Sequence, residues 1–220
     1  MTNRSTPPAI GSRAPLTREA VLDAALRLVD KGGVEALSMR KLGRDLGVEA
    51  MSLYNHIPNK AALLDGLVEQ VMAQVEPRPP RERWEEDVRD LAHGYRRLAL
   101  EHPRVVPLIV MRPFNTLAAL DPLERGLAVF RRAGFDDAAA LHGLRTVMSF
   151  VSGYTLAETG GFFGEHRPPD TPSVIAVDDL DQARFPNLIE LLPTIAGCDH
   201  DAEFEFALDV MIEGLRTKLR

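Results

Sequence analysis

The chain has 220 residues, enough for one large domain or two small ones with a real core, and its 45% apolar and 26% charged content is ordinary for a globular protein. No apolar stretch approaches the ~20 residues that span a bilayer, the N-terminal stretch has no apolar core of a secretory signal, and the single cysteine, Cys198, has no partner in the chain, so a membrane span, a secreted disulfide scaffold and an exported product are disfavoured and the cytosol is expected. The net charge of −6 is uneven, +3 over residues 1–60 and −9 over residues 61–220; only the front of the chain suits a polyanion, although an offset of this size also arises by chance.

Residues 1–15, rich in Pro, Ser and Thr, read as a disordered tail. A first helix follows, with Ala20, Val21, Ala24, Ala25, Leu28 and Val29 at helical spacing. Thr17 is placed to cap it, Leu16 and Val21 to staple it, and Gly32–Gly33 to stop it. Ser38 is placed to cap a second helix through Leu46, with Leu37 and Leu42 as its staple and Gly47 as its end. Only Val48 and Glu49 precede a third helix, which Pro58 closes after barely two turns. Asn59 then caps a fourth helix over residues 59–75, whose Leu63, Leu64, Leu67, Val68, Val71, Met72 and Val75 face a core, and Pro77 ends it.

Two helices joined by about four residues that include a glycine form a helix-turn-helix. The second helix of that motif enters the major groove, and its exposed face carries groups that reach phosphates and base edges. This accounts for the crowding in "SLYNHIPNK": Leu53 and Ile57 anchor the short helix, while Ser52, Tyr54, Asn55 and His56 face outward. Lys60 falls in the first turn of the next helix, where backbone N–H groups and an ammonium jointly hold a phosphate, and where a lysine otherwise opposes the helix dipole. Polar residues on a short helix are also commonly just solvated, and the motif occurs in enzymes.

The remainder reads as a helical bundle. Trp84, Val88, Leu91, Tyr95 and Leu98 share one face, "PRVVPLIVM" is a short buried helix, and Leu120, Leu123, Leu127 and Phe130 line a helix that stops at Gly134. Asp136 caps a long helix that buries Leu141, Leu144, Met148 and Val151. Residues 163–186 read as a long loop, and a last helix from Asp201 carries a stripe of Phe204, Leu208, Met211, Ile212 and Leu215. Such a stripe by itself more often means internal core. Inward-facing candidates for a small-molecule pocket are Trp84, Tyr95, Met111, Phe114, His142, Met148 and Tyr154, each of which also fits ordinary core. Phosphate-loop, dinucleotide, GxSxG and HExxH patterns are absent, "GGFFG" has the wrong spacing, and His93 and His102 share no helical face. No catalytic residues, metal ligands or cofactor are therefore expected.

The stretch "TREAVLDAALRLVDKGGVEALSMRKLGRDLGVEAMSLYNHIPNKAALLDGLVEQV" resembles the DNA-binding domain of the tetracycline-repressor-type (TetR) family of transcriptional regulators, in sequence, spacing and place near the N-terminus. "MRP" at 111–113, "AGFDDAAALHGLRTVMSFVSGYTLAE" and "FEFALDVMIEGLRTKL" resemble that family's body more loosely. The resemblance implies an all-α protein: a helix-turn-helix DNA-binding domain over 16–62, a linking helix over 59–75, and a helical effector-binding and dimerisation domain over 76–220. It implies a homodimer on a palindromic double-stranded operator, released by a small-molecule effector; repression is the commoner mode and activation stays open. It implies that Arg40 reads a base, that Ala50, Met51 and Ser52 face the bases, and that Tyr54, His56 and Lys60 hold phosphates. Asn55 departs from a position that is often aromatic, and Lys41 and Arg44 fit phosphate contacts or plain solvation equally. The family's tetracycline receptors carry a metal-linked histidine shortly before an arginine-proline pair; here that stretch is Leu108, Ile109 and Val110, so the implied effector is organic and metal-free. The competing reading is a helical-bundle enzyme or ligand-binding protein with no regulatory DNA contact.

Overall fold

The computed structural model describes residues 15–76, 78–112, 116–160 and 180–219, with the backbone alone at 117–119, and every regular element among them is helical. The expected tail up to residue 14, Phe114 and most of the expected 163–186 loop lie outside the described residues. The chain divides into a first unit ending at Leu67 and a second beginning at Val68.

In the first unit, α1 (Arg18–Gly32) starts where Thr17 Oγ1 accepts the Ala20 N–H at 3.1 Å. It ends at Gly33, whose φ of 74° lies where a side chain would be strained. Ser38 Oγ accepts the Lys41 N–H at 3.2 Å and starts α2 (Met39–Leu46). Gly47, at φ 64°, turns the chain so that the Val48 N–H returns to the Gly43 carbonyl at 2.8 Å. The next helix, α3 (Ala50–Leu53), is shorter than the expected two turns. Beyond it the N–H groups of Asn55 and His56 reach back only three residues, to Ser52 and Leu53, tightening the chain ahead of Pro58. Asn59 Oδ1 accepts the Ala62 N–H at 2.8 Å and caps α4 (Lys60–Met72), which stops three residues before Val75. Val21, Ala25, Val29, Leu42, Leu53, Ile57, Leu63 and Leu67 form the buried interior of these helices.

The second unit holds α5 (Trp84–Glu101), α6 (Val106–Met111), α7 (Leu117–Arg132), α8 (Asp137–Thr159), α9 (Pro186–Ala196) and α10 (His200–Arg216). Asp136 Oδ1 accepts the Ala139 N–H at 2.8 Å and starts α8. Helices α5, α7 and α8 pack on one another, and α6 and α10 each pack on α8. Their core centres on Val88, Phe130, Phe135, Leu144, Val151, Phe204 and Leu208, with Trp84 and Phe130 meeting Phe135 edge-on at 5.3 and 5.4 Å. Arg96 is buried within it. Its Nε and Nη2 donate to the two Glu158 oxygens at 3.0 and 2.6 Å, its Nη1 donates to Asp201 at 2.7 Å, and its guanidinium lies 4.8 Å from the Phe204 ring centre. This one side chain therefore ties α5 to α8 and α10.

Several expectations for this unit are corrected. Helix α9 was not foreseen; Pro186 suits a first helical position, but Pro193 within it and Gly197 after it make the stretch read as irregular. Helix α10 begins at His200, capped by Asp199 rather than starting at Asp201. Leu120 and Leu141 are exposed instead of buried. The Phe204–Leu208–Ile212–Leu215 stripe of α10 is internal core, and it is the opposite face, Phe206 and Val210, that stands open at 72% and 59% exposure.

Candidate nucleic-acid interface and inner cavity

The helix-turn-helix geometry depends on a glycine that the sequence pattern did not single out. A Cβ at Gly43 would lie 2.9 Å from the Val48 carbonyl oxygen and 3.2 Å from the Ala50 nitrogen, so α2 and α3 approach as closely as they do only because position 43 has no side chain. Leu42 and Leu53 are fully buried, and Arg40, Arg44, Asp45 and Met51 of the two helices are exposed. Arg40, Met51, Tyr54, Asn55 and Lys60 are exposed, and Ala50, Ser52 and His56 are half-buried. Met51 is 74% exposed. Lys60 is the first residue of α4, next to the Asn59 cap. Arg44 is exposed as well, and Lys41 is half-buried.

In the second unit an apolar cavity of ≈ 80 Å³ is enclosed by Met72, Leu91, Tyr95, Gly126, Met148 and Ser152, among others. Ser152 Oγ donates to the Tyr95 hydroxyl at 3.4 Å, and burial pushes that phenol up from its ordinary pKa, so it is a neutral hydrogen-bonding group at physiological pH. A second, more polar cavity of ≈ 450 Å³ lies against it. The two share Val75, Leu91 and Arg125 as walls. Together they reach the size of ordinary small-molecule sites, about 300–1,000 Å³.

Of the seven pocket candidates, Tyr95 and Met148 line the apolar cavity. Trp84 is packed into the aromatic core. Tyr154 donates to the His200 carbonyl at 2.9 Å and packs tilted against Phe150 and edge-on to Phe204. Burial and the nearby Glu203 and Glu158 carboxylates push its phenol up to about 12. Met111 is 78% exposed because α6 ends there, and His142 sits on the outer side of α8 beside Met211 and Leu215. Phe114 lies outside the described residues. Sequence reasoning missed Ser152 and Arg125. Ser152 falls one turn after Met148 on the same helical face, which was the available signal; Arg125 lies outside the Leu120–Leu123–Leu127–Phe130 stripe of α7 and gave none.

Residues 21–67 match the family described as bacterial regulatory proteins, tetR family, and residues 76–219 match the tetracyclin repressor-like C-terminal domain. The chain belongs to the TetR family. Among the relatives it resembles is the HTH-type transcriptional repressor DrrR1 of Streptomyces coeruleorubidus, 28% identical over 96% of this chain and 81% of the relative. It is 30% identical to the class D tetracycline repressor protein of Escherichia coli, covering 94% of this chain and 92% of that one. The structure of ActR from Streptomyces coelicolor in complex with actinorhodin superposes with a TM-score of 0.77 at 30% identity, over 93% of this chain and 98% of ActR. As a TetR-family member the chain is a DNA-binding transcriptional regulator, and the reading as an unrelated helical enzyme is not favoured. No helix among the described residues is long and apolar enough to cross a membrane.

Proposed function

We propose that this TetR-family regulator is a cytoplasmic repressor, without catalytic activity, that holds a near-palindromic operator as a homodimer and releases it when a mostly apolar organic effector fills the inner cavity. One observation carries this reading. A single uninterrupted helix, α4, begins with Lys60 beside the exposed recognition residues and ends with Met72 in the cavity wall. Its 13 residues span roughly 20 Å at about 1.5 Å per residue. A ligand that pushes on Met72 tilts the helix that positions Lys60, and a tilt changes the spacing of the two recognition helices on successive major grooves.

In this reading Arg40 reads a guanine edge. Ala50, Met51 and Ser52 meet bases, with Met51 on a thymine methyl, and Tyr54, His56 and Lys60 hold phosphates. Asn55 lies at the edge of the contact. The cavity lining suits a largely apolar molecule whose few acceptor groups meet Tyr95, Ser152 and Arg125. The complex of ActR with actinorhodin supports a small-molecule effector. The exposed Phe206 and Val210 of α10 suit the dimer seam.

The test begins with a duplex selected from a random library by the full-length protein. Light scattering is expected to give twice the 24.3 kDa chain mass. Fluorescence anisotropy of the labelled duplex then follows release by polycyclic and other apolar organic molecules in the presence of a chelator. Release that required added magnesium would overturn the metal-free reading, and a monomer that bound the duplex at full affinity would overturn the dimeric one.

A further inference from the structure

The turn between α9 and α10 gathers three side chains of metal-binding type that the regulatory reading does not use. Cys198, His200 and Glu203 each offer one ligand atom, and the three atoms lie within 4.8 Å of one another. We propose that Cys198 Sγ, a His200 ring nitrogen and a Glu203 carboxylate oxygen bind one zinc-class divalent cation per chain.

Three observations support the site. The first is its donor set: a thiolate, an imidazole and one carboxylate suit zinc or cobalt, whereas magnesium and calcium take oxygen ligands alone. The second is spacing. His200 Nδ1 and Glu203 Oε2 stand 3.4 Å apart. Two ligands at 2.0–2.1 Å on a tetrahedral ion are separated by about 3.4 Å, so that edge of the tetrahedron is already formed. Cys198 Sγ lies within 4.8 Å of both and hydrogen-bonds the Glu203 carboxylate, and the fourth position remains for water. The third is the rigidity of the base. Tyr154 holds the His200 carbonyl and Arg96 holds Asp201, so the first turn of α10, which carries two of the ligands, is fixed from α8 and α5. His200 is largely buried, with its side chain 11% exposed, and Glu203 opens to solvent at 48%, which gives an ion a way in. None of the three lines the apolar cavity, and a zinc-class ion here is separate from any need of the effector for metal.

Loading the site moves the thiol proton to the buffer and leaves a thiolate on the metal, so affinity rises with pH through the thiol range. The experiment uses the full-length chain, reduced and stripped of metal, titrated with cobalt(II) under inert gas. Binding is expected to saturate at one equivalent, with a thiolate-to-cobalt charge-transfer band in the near ultraviolet and the intense visible bands of a tetrahedral site. Stoichiometric zinc should bleach both, and excess magnesium should leave them unchanged. Cys198→Ser should abolish the charge-transfer band, and His200→Ala and Glu203→Gln should each weaken binding by at least about tenfold, since even second-shell losses cost 10–100-fold. Zinc should also raise the melting temperature of the parent chain and not that of His200→Ala. Absence of the charge-transfer band at one equivalent, or its persistence at unchanged affinity in His200→Ala, overturns the site. Either result leaves DNA binding and effector release unaffected, so the two readings stand or fall separately.

Discussion

The two units of this chain put their chemistry on opposite sides of their cores. In the first, Leu42, Leu53 and Ile57 close the interior, and the side chains proposed to meet DNA are exposed or half-buried outside it. In the second, Tyr95, Met148 and Ser152 line an interior cavity, and the buried polar and charged residues among those described, Asp87, Arg96, Thr155 and Glu158, are all in this unit. A surface that reads a polyanion needs no buried charge, because the ligand brings its own and counterions leave as it docks. A cavity that must take up an organic molecule interrupts the core, and the surrounding helices need ties that packing alone does not supply. Function and stability should thus be separable in the first unit and entangled in the second.

The sharpest test of that contrast is Arg96→Ala. It leaves the Glu158 carboxylate buried without its partner, a class of change that costs about 3–5 kcal/mol. The Asp201 arm of the same guanidinium is 85% exposed, and Asp201→Asn should cost less than about 1 kcal/mol. Urea unfolding followed by tryptophan emission reports the second unit directly, since the single Trp84 lies there. Equal losses for the two variants would mean that the network is not organised around a buried pair.

Gly43→Ala comes next. Its new methyl meets backbone rather than a flexible side chain, and a forced fit of this kind costs about 1–3 kcal/mol. The loss should fall on the first unit, with specific DNA binding abolished and the Trp84 transition of the second unit almost unmoved. A variant that kept operator affinity would show that α2 and α3 can separate without harm.

How much of this was visible beforehand follows the same division. The caps at Thr17, Ser38, Asn59 and Asp136 are local chemistry, each a side-chain oxygen meeting an N–H three residues on, and all four form as the pattern requires. The outward face of α3 was legible because polar residues there have no packing reason to exist. The cavity was not legible, since its lining of Met, Leu, Val and Tyr is what a solid core would also use; of the six candidates among the described residues, Tyr95 and Met148 line it. Gly43 was missed because its role lies in a contact across a turn rather than in a periodicity. The Cys198–His200–Glu203 group was missed because the last helix was read from Asp201, one residue too late to include His200, and the turn that brings Cys198 beside it follows α9, which was not read as helix.

Within the first unit, positioning and reading should come apart without loss of stability. Arg40→Ala should relax the preference at one base pair per half-site by about 1–3 kcal/mol, the value of a bidentate base contact. Lys60→Ala should weaken binding to all duplexes alike and reduce the salt dependence by roughly one charge per head. Tyr54→Phe should weaken all duplexes alike, with no change in salt slope. Binding-site selection on the three variants checks this; an unchanged selected sequence for Arg40→Ala would remove it from the reading set.

The smallest effect sharpens the contrast inside the second unit itself. Glu85 and Arg216 also join α5 to α10, with Arg216 Nε donating to Glu85 Oε1 at 2.8 Å, but Arg216 is open to solvent. Burial pushes the Glu85 carboxyl up; its own backbone N–H and Arg216 outweigh that and hold it below its ordinary range. A carboxyl whose folded pKa is depressed stabilises the fold above its unfolded pKa of about 4.3, and that contribution is lost as the pH falls through the folded value. Glu85→Gln keeps a hydrogen-bond acceptor and removes the titration. Its deficit relative to the parent chain should therefore be present at pH 7, shrink below about pH 4.3 and vanish in stronger acid, and added salt should reduce it at neutral pH. Urea midpoints of parent and variant at a series of pH values give the comparison. A deficit that stayed constant into acid would mean that Glu85 acts by packing and not by charge. The exposed and buried ties between these helices would then differ in burial alone.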